Sequence, residues 1–150
     1  MGLMDQLNGC TVCIDTAPFI YFIEEHPVYL DIVKPVFAAI DAGNIEALTS
    51  TVTLLEVLVH PFRMHNESLA GKYREILLFS EGVTTVSVTD ELSETAAKLR
   101  AKYSIKSPDA LQIATGIYSG ADKFLTNDRN LKNIDEMEML ILDDFIDFKL

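Results

Sequence analysis

The sequence predicts a three-layer α/β/α fold, with helices covering both faces of a central parallel sheet of about five strands. Three observations lead there. Short runs of β-branched and apolar residues recur along the chain, stretches with apolar residues at helical spacing separate them, and two of the runs end on a carboxylate at the start of a helix. At 150 residues the chain is long enough to bury a core without a disulfide staple, and it reads as a single domain over 1–150. With 49% hydrophobic and 23% charged residues it groups with globular proteins and not with disordered ones.

The first run, 11–14, is too short for an ordinary helix and delivers Asp15 to the C-terminal end of a buried strand. Pro18 suits the first turn of the helix that follows over 17–25, and His26-Pro27 breaks it. A second helix is expected over 29–42, where Ile32, Val36, Phe37 and Ile40 share a face and Gly43 ends the pattern. Residues 47–50 form a second strand. It leads into 52–59, a helix apolar nearly all round that Pro61 is expected to stop. Helix returns over 67–80, and Gly82 turns the chain into a third strand over 83–88, rich in Val and Thr.

The stretch 90–103 is an amphipathic helix with Leu92, Ala96 and Leu99 on one side and Lys98 and Lys102 on another. Ser107-Pro108-Asp109 opens the next helix, with Ser107 as the expected cap, and that helix runs to Gly120. A fourth strand occupies 123–126, Asn127-Asp128 caps a short helix over 129–132, and a fifth strand over 139–142 ends at Asp143-Asp144. No repeat, low-complexity segment or linker interrupts this order.

Several function classes drop out. No apolar run reaches the ~18 residues of a membrane span. The start has no secretory pattern and Gln6 replaces the Ser or Thr of a myristoylation motif, so a cytoplasmic location without membrane attachment is expected. Cys10 and Cys13 form a C-x-x-C, but residues three apart on a strand face opposite ways. His60 and His65 lie too far along the chain to complete a zinc finger. Neither a G-x-G-x-x-G nor a P-loop is present, and Ala17 stands where a phosphatase using a strand-end Asp needs a second acid.

Four carboxylates remain. Asp15, Asp109 and Asp128 each sit where a capping or first-turn acid would serve the helix alone. Glu56 has no capping excuse: it lies beyond the first turn of an apolar helix, where it is either a costly unpaired buried carboxylate or an exposed acid on the helix's one wet stripe. Asp15 and Asp128 follow strands, and Glu56 and Asp109 lie early in helices starting near the same sheet edge, so a single crevice could receive all four. Like charges brought together favour protonation unless a divalent cation offsets them, and an all-oxygen site selects Mg²⁺ or Mn²⁺. Such a site performs phosphoryl chemistry.

The series Ile14-Asp15-Thr16, Ser50-Thr51-Val52-Thr53-Leu54-Leu55-Glu56, Asp109-Ala110-Leu111-Gln112-Ile113-Ala114 and Leu125-Thr126-Asn127-Asp128 resembles the PIN-domain ribonucleases, especially the VapC-type toxins of toxin–antitoxin pairs. The resemblance spans nearly the whole chain. It implies a Mg²⁺- or Mn²⁺-dependent endoribonuclease whose acidic metal site is Asp15, Glu56, Asp109 and Asp128. Thr16, Ser50 and Thr126 or Asn127 are the implied supporting polar groups. It further implies RNA as substrate, a homodimer, and a small antitoxin that blocks the site. Ala17 departs from the pattern, since many such toxins carry Asn after Asp-Thr.

The net charge of -11 opposes a broad RNA groove, although seven of the twelve Lys and Arg fall between Arg63 and Lys106. Among these, Lys98, Arg100, Lys102 and Lys106 approach Asp109 in the chain and are the expected phosphate contacts. The competing expectation is a non-catalytic PIN-like module that binds RNA or a protein partner.

Overall fold

The computed structural model describes residues 2–146. Strands β1 (Thr11–Ile14), β2 (Glu46–Ser50), β3 (Val83–Val86), β4 (Lys123–Thr126) and β5 (Glu138–Ile141) pair in parallel in the order β3-β2-β1-β4-β5. Helices α1 (Leu3–Leu7), α2 (Thr16–Ile23), α3 (Leu30–Asp41), α4 (Thr51–Arg63), α5 (Glu67–Arg74), α6 (Asp90–Lys102) and α7 (Ser107–Tyr118) supply the outer layers.

Alternation along the strands divides the core. Val12 and Ile14 of β1 face a cluster that includes Leu7, Phe19, Val36, Phe37, Val57 and Tyr73. Cys13, between them, faces Leu92, Leu99, Ile113 and Phe124. Helices α1 to α5 therefore cover one face, and α6 and α7 the other. Helix α7 lies very close to β1, since a Cβ at Gly116 would stand 3.0 Å from Cys13 Cβ and 3.0 Å from Met137 Cε. Gly116→Ala gains about 1 kcal/mol of helix propensity but overpacks a closed core at a cost of about 1–3 kcal/mol. A lower thermal midpoint is expected in spite of the propensity; an unchanged or higher one contradicts the close approach.

The departures from sequence expectation have local causes. Pro61 does not stop α4; its ring is buried and the helix continues to Arg63. That burial offsets the backbone hydrogen bond a helical proline forfeits. The helix expected over 67–80 divides into α5 and a π turn, Glu75–Phe79, whose Leu77 carbonyl accepts the Thr85 hydroxyl at 2.5 Å. β3 stops at Val86 because its partner β2 ends there, Ser50 pairing with Val86. The cap of α7 is Lys106 rather than Ser107, and Ser107 Oγ instead accepts from Arg100 Nη1 at 3.0 Å. Among the described residues, no helix is long and apolar enough to cross a membrane.

The order of the sheet fixes where chemistry can occur. β1 is central, with β2 and β3 laid down on one side and β4 and β5 on the other. Connections leaving β1 and β4 part there, and in parallel sheets that divergence opens a crevice at the C-terminal strand ends. Asp15 sits at its floor.

Candidate active site

Asp15 is the N-cap of α2, and its two carboxylate oxygens are held separately. Oδ1 accepts the Thr16 amide at 2.9 Å and Oδ2 accepts the Thr126 hydroxyl at 2.8 Å. Its own amide donates to Leu125 carbonyl oxygen at 2.9 Å, so β1 and β4 hold it from both sides. Only 9% of the residue is exposed. Burial pushes its pKa above the usual carboxylate value against the two hydrogen bonds, and Glu56 and Asp128 add repulsion.

Glu56 is exposed, which corrects the expectation of a buried carboxylate on an apolar helix. It occupies the wet side of α4 and reaches back so that Oε1 accepts the Thr16 hydroxyl at 2.7 Å. Asp128 caps the short helical turn Arg129–Leu131 through the Asn130 amide at 3.0 Å, and its own amide donates to Thr126 Oγ1 at 3.1 Å. Thr126 thus links Asp15 to Asp128. Asn127 does not join them: its amide group donates to Tyr21 Oη at 3.2 Å and accepts the Asp143 amide at 3.0 Å.

Asp109 lies half-buried in the first turn of α7. Burial, then repulsion from Asp15, Asp128 and Glu56, pushes its pKa up to about 6, with Lys106 opposing. Asp109 is thus repelled by the other three acids, and Asp15 by Glu56 and Asp128, at the C-terminal edge. A raised native pKa means that the folded protein binds this proton more tightly than the unfolded chain, so stability falls as pH rises through about 6. In metal-free buffer at neutral pH, Asp109→Asn should be more stable than the parent by about 1 kcal/mol, after allowance for solvent screening. The difference should fade as pH approaches 4. Paired thermal melts across that range check it, and a variant less stable at neutral pH contradicts it.

A layer of hydroxyls underlies the acids. Gln112 is fully buried at 0% exposure; its Nε2 donates to Thr53 Oγ1 and, at 3.3 Å, to Thr16 Oγ1, while Oε1 accepts the Ser50 hydroxyl at 2.8 Å. Ser50 also caps α4 through the Val52 amide at 3.1 Å. Thr49 Oγ1 bonds Thr53 Oγ1 and Ile14 carbonyl oxygen, each at 2.8 Å. Gln112, Thr53 and Thr49 were not among the expected site residues. Their signal is a polar side chain on a face otherwise apolar: Gln112 falls three residues after Asp109 within a buried stretch.

The basic residues are less concentrated. Lys102 Nζ is 3.4 Å from Glu136 Oε2, and Arg100 donates from Nε to the Ile105 carbonyl at 3.0 Å besides its bond to Ser107. Lys98 is exposed, and Lys106 alone of the four acts on Asp109. Both cysteines are free thiols; Cys13 bonds Gln112 carbonyl oxygen on one side of the sheet and Cys10 the Gln6 carbonyl on the other, each at 3.5 Å. Burial raises the Cys13 thiol pKa far above its usual range, which suits a packing role and not redox chemistry.

Among the described residues, no three His, Cys, Asp or Glu side chains are grouped tightly enough, as placed, to enclose an ion. The donors nevertheless fit a hard cation by chemistry: four carboxylates and several hydroxyls, with one lysine opposing the repulsion at Asp109.

Compared with models of protein families, residues 12–137 match the PIN domain. The chain belongs to the PIN domain family. Solved structures share its fold at low identity. VapBC2 from Rickettsia felis, bound to a DNA fragment of its promoter, is 18% identical, with 87% of this chain and 98% of that one aligned at a TM-score of 0.67. DNA-bound VapBC from Salmonella typhimurium is 14% identical, covering 89% and 98% at a TM-score of 0.68. Mycobacterium tuberculosis VapC20, described as a sarcin-ricin loop cleaving toxin, is 19% identical, covering 76% and 86% at 0.62. No curated protein sequence matches the chain significantly. The PIN match contains Asp15, Glu56, Asp109 and Asp128, together with the hydroxyl layer beneath them.

Proposed function

We propose that this PIN domain protein is a Mg²⁺- or Mn²⁺-dependent endoribonuclease and the toxin of a toxin–antitoxin pair, working as one nuclease domain. The observation that carries the reading is the set of four acids at the sheet's switch point, Asp109 repelled by the other three and Asp15 by Glu56 and Asp128, with Lys106 as the opposing charge at Asp109. Family membership supports the nuclease chemistry, and the VapBC complexes and VapC20 among the fold's neighbours support the toxin role.

Asp15, Glu56 and Asp109 hold the principal cation in this reading, and Asp128 completes the site. When bound, the cation supplies charge to a phosphate oxygen and to the departing oxygen and lowers the pKa of water. The chain's own residues set the stage for it. Thr126 and the Thr16 amide keep Asp15 in one orientation, and the Thr16 hydroxyl tethers Glu56. Gln112 orients that hydroxyl in turn. Lys106, with Lys98, Arg100 and Lys102, meets RNA phosphates. The partners are an RNA substrate, a small antitoxin and a second copy of the chain, in the cytoplasm.

The test is RNA cleavage by metal-stripped protein. Cleavage absent with chelator and restored by Mg²⁺ or Mn²⁺ is expected, as is growth arrest on expression that a co-encoded small partner relieves. One observation favours a second reading, a non-catalytic module that binds RNA or a protein: the net charge of -11. RNA or partner binding with no cleavage in either metal would decide for it.

A further inference from the structure

Beside the acids stands a group of aromatic rings that the hydrolytic reading leaves without a role. Tyr21 and Tyr29 stack with centroids 4.4 Å apart and planes 19° from parallel, and the His26 ring lies 5.0 Å from each. All three are half-buried. His26 Nδ1 accepts the Val28 amide at 3.1 Å and the Tyr29 amide at 3.3 Å, which places the imidazole proton on Nε2. Among the described residues no acceptor meets that Nε2–H.

The rings are joined by hydrogen bonds to Asn127, the chain neighbour of Asp128. Tyr29 Oη donates to Asp143 Oδ1 at 2.6 Å, the Asp143 amide donates to Asn127 at 3.0 Å, and Asn127 donates to Tyr21 Oη at 3.2 Å. Asn127 lies in the chain between Thr126, which holds Asp15, and Asp128. The ring positions are thus fixed relative to the carboxylates.

We propose that Tyr21, His26 and Tyr29 form a ledge on which an unpaired nucleobase of the RNA stacks, next to the phosphate held at the acids. The inference rests on the ribonuclease reading and specifies how that site grips its substrate. Single-stranded nucleic acid is bound by aromatic faces as well as by positive grooves, and stacking needs no cation on the protein. That matters here, because a chain of net charge -11 cannot draw much affinity from phosphate neutralisation. The Nε2–H of His26 adds a donor suited to a base carbonyl or ring nitrogen at the rim of the stack.

The probes are a short single-stranded oligoadenylate and an abasic oligoribonucleotide of equal length. Both are titrated in metal-free buffer, where the hydrolytic reading predicts binding without turnover. The native protein should bind the oligoadenylate about tenfold more tightly than the abasic strand. Tyr29→Leu should abolish that preference and Tyr29→Phe, which keeps the ring and loses the Asp143 bond, should retain it. A readout that needs no variant is tyrosine fluorescence, since the chain has five Tyr and no Trp; oligoadenylate should quench it and the abasic strand should not. Equal affinity of the native protein for the two strands, or a preference that survives in Tyr29→Leu, overturns the ledge. Metal-dependent RNA cleavage with equal affinities sinks the ledge alone. Base-dependent binding without cleavage in any metal upholds the ledge and sinks the hydrolase.

Discussion

Asp15→Asn should lower metal-dependent RNA hydrolysis by about a thousandfold or more and, in the same protein, raise the thermal midpoint measured without metal. The two effects have one cause. The amide keeps the shape of the carboxylate and the acceptor for the Thr16 amide, so the cap of α2 survives, while its NH2 now donates to Thr126 Oγ1 in place of accepting from it. It removes a charge that burial, Glu56 and Asp128 all disfavour. An acid serving only as a helix cap would behave differently, with the substitution lowering stability or leaving it unchanged and touching activity no more than any cap does. Paired melts and cleavage rates separate the alternatives. Retained cleavage with Mg²⁺ or Mn²⁺ would remove Asp15 from the chemistry.

Gln112→Ala should produce the largest loss of stability, about 3 kcal/mol or roughly 6–12 °C in thermal midpoint. One side chain serves the hydroxyls of Ser50, Thr53 and Thr16, and among the described residues no buried side-chain nitrogen or oxygen lacks a partner. Truncation orphans the Ser50 donor in a place water does not reach and opens a cavity beneath the acids. Cleavage should fall by about 10–100-fold as well, because Thr16 loses one of the contacts that orient its hydroxyl toward Glu56. Gln112→Glu fills the same space but adds a charge to an acidic site, so it should restore little. Calorimetry beside steady-state rates tests the pair; an alanine variant as stable as the parent would show that the hydroxyls repair their own network.

Strand and helix order were legible in the sequence because parallel strands buried on both faces write themselves as short Val, Ile, Thr and Leu runs. β1 and β4 have the expected bounds, and β2 and β5 differ by about one residue. α1 escaped notice, since five residues are too few to display a helical period. Pro61 misled for a different reason: a proline breaks a helix in the abstract, whereas packing determines whether it does so in place. Glu56 was singled out by an argument about burial that its exposure removes, yet the Thr16 hydroxyl draws it to the other acids. The hydroxyl layer was the least legible part. Thr49, Thr53 and Gln112 act through partners 4 to 96 residues away, and no local pattern encodes such a network.

The placement of β1 at the centre of the sheet carries a consequence for how the protein is made. β1 is synthesised first, but one of its edges stays open until β4 emerges more than a hundred residues later, and parallel strands separated so far along a chain pair slowly. Thr126, which fixes Asp15, and Asp128 are the last pieces to reach the crevice. A nascent chain that stops short of them carries Asp15, Glu56 and Asp109 on an unfinished sheet without the strand that locks the first of them. Competence for chemistry thus arrives late in translation, well after β2 and β3 have had time to form. On the ribonuclease reading, a copy that has not yet reached Thr126 and Asp128 lacks the pieces that complete its acidic site.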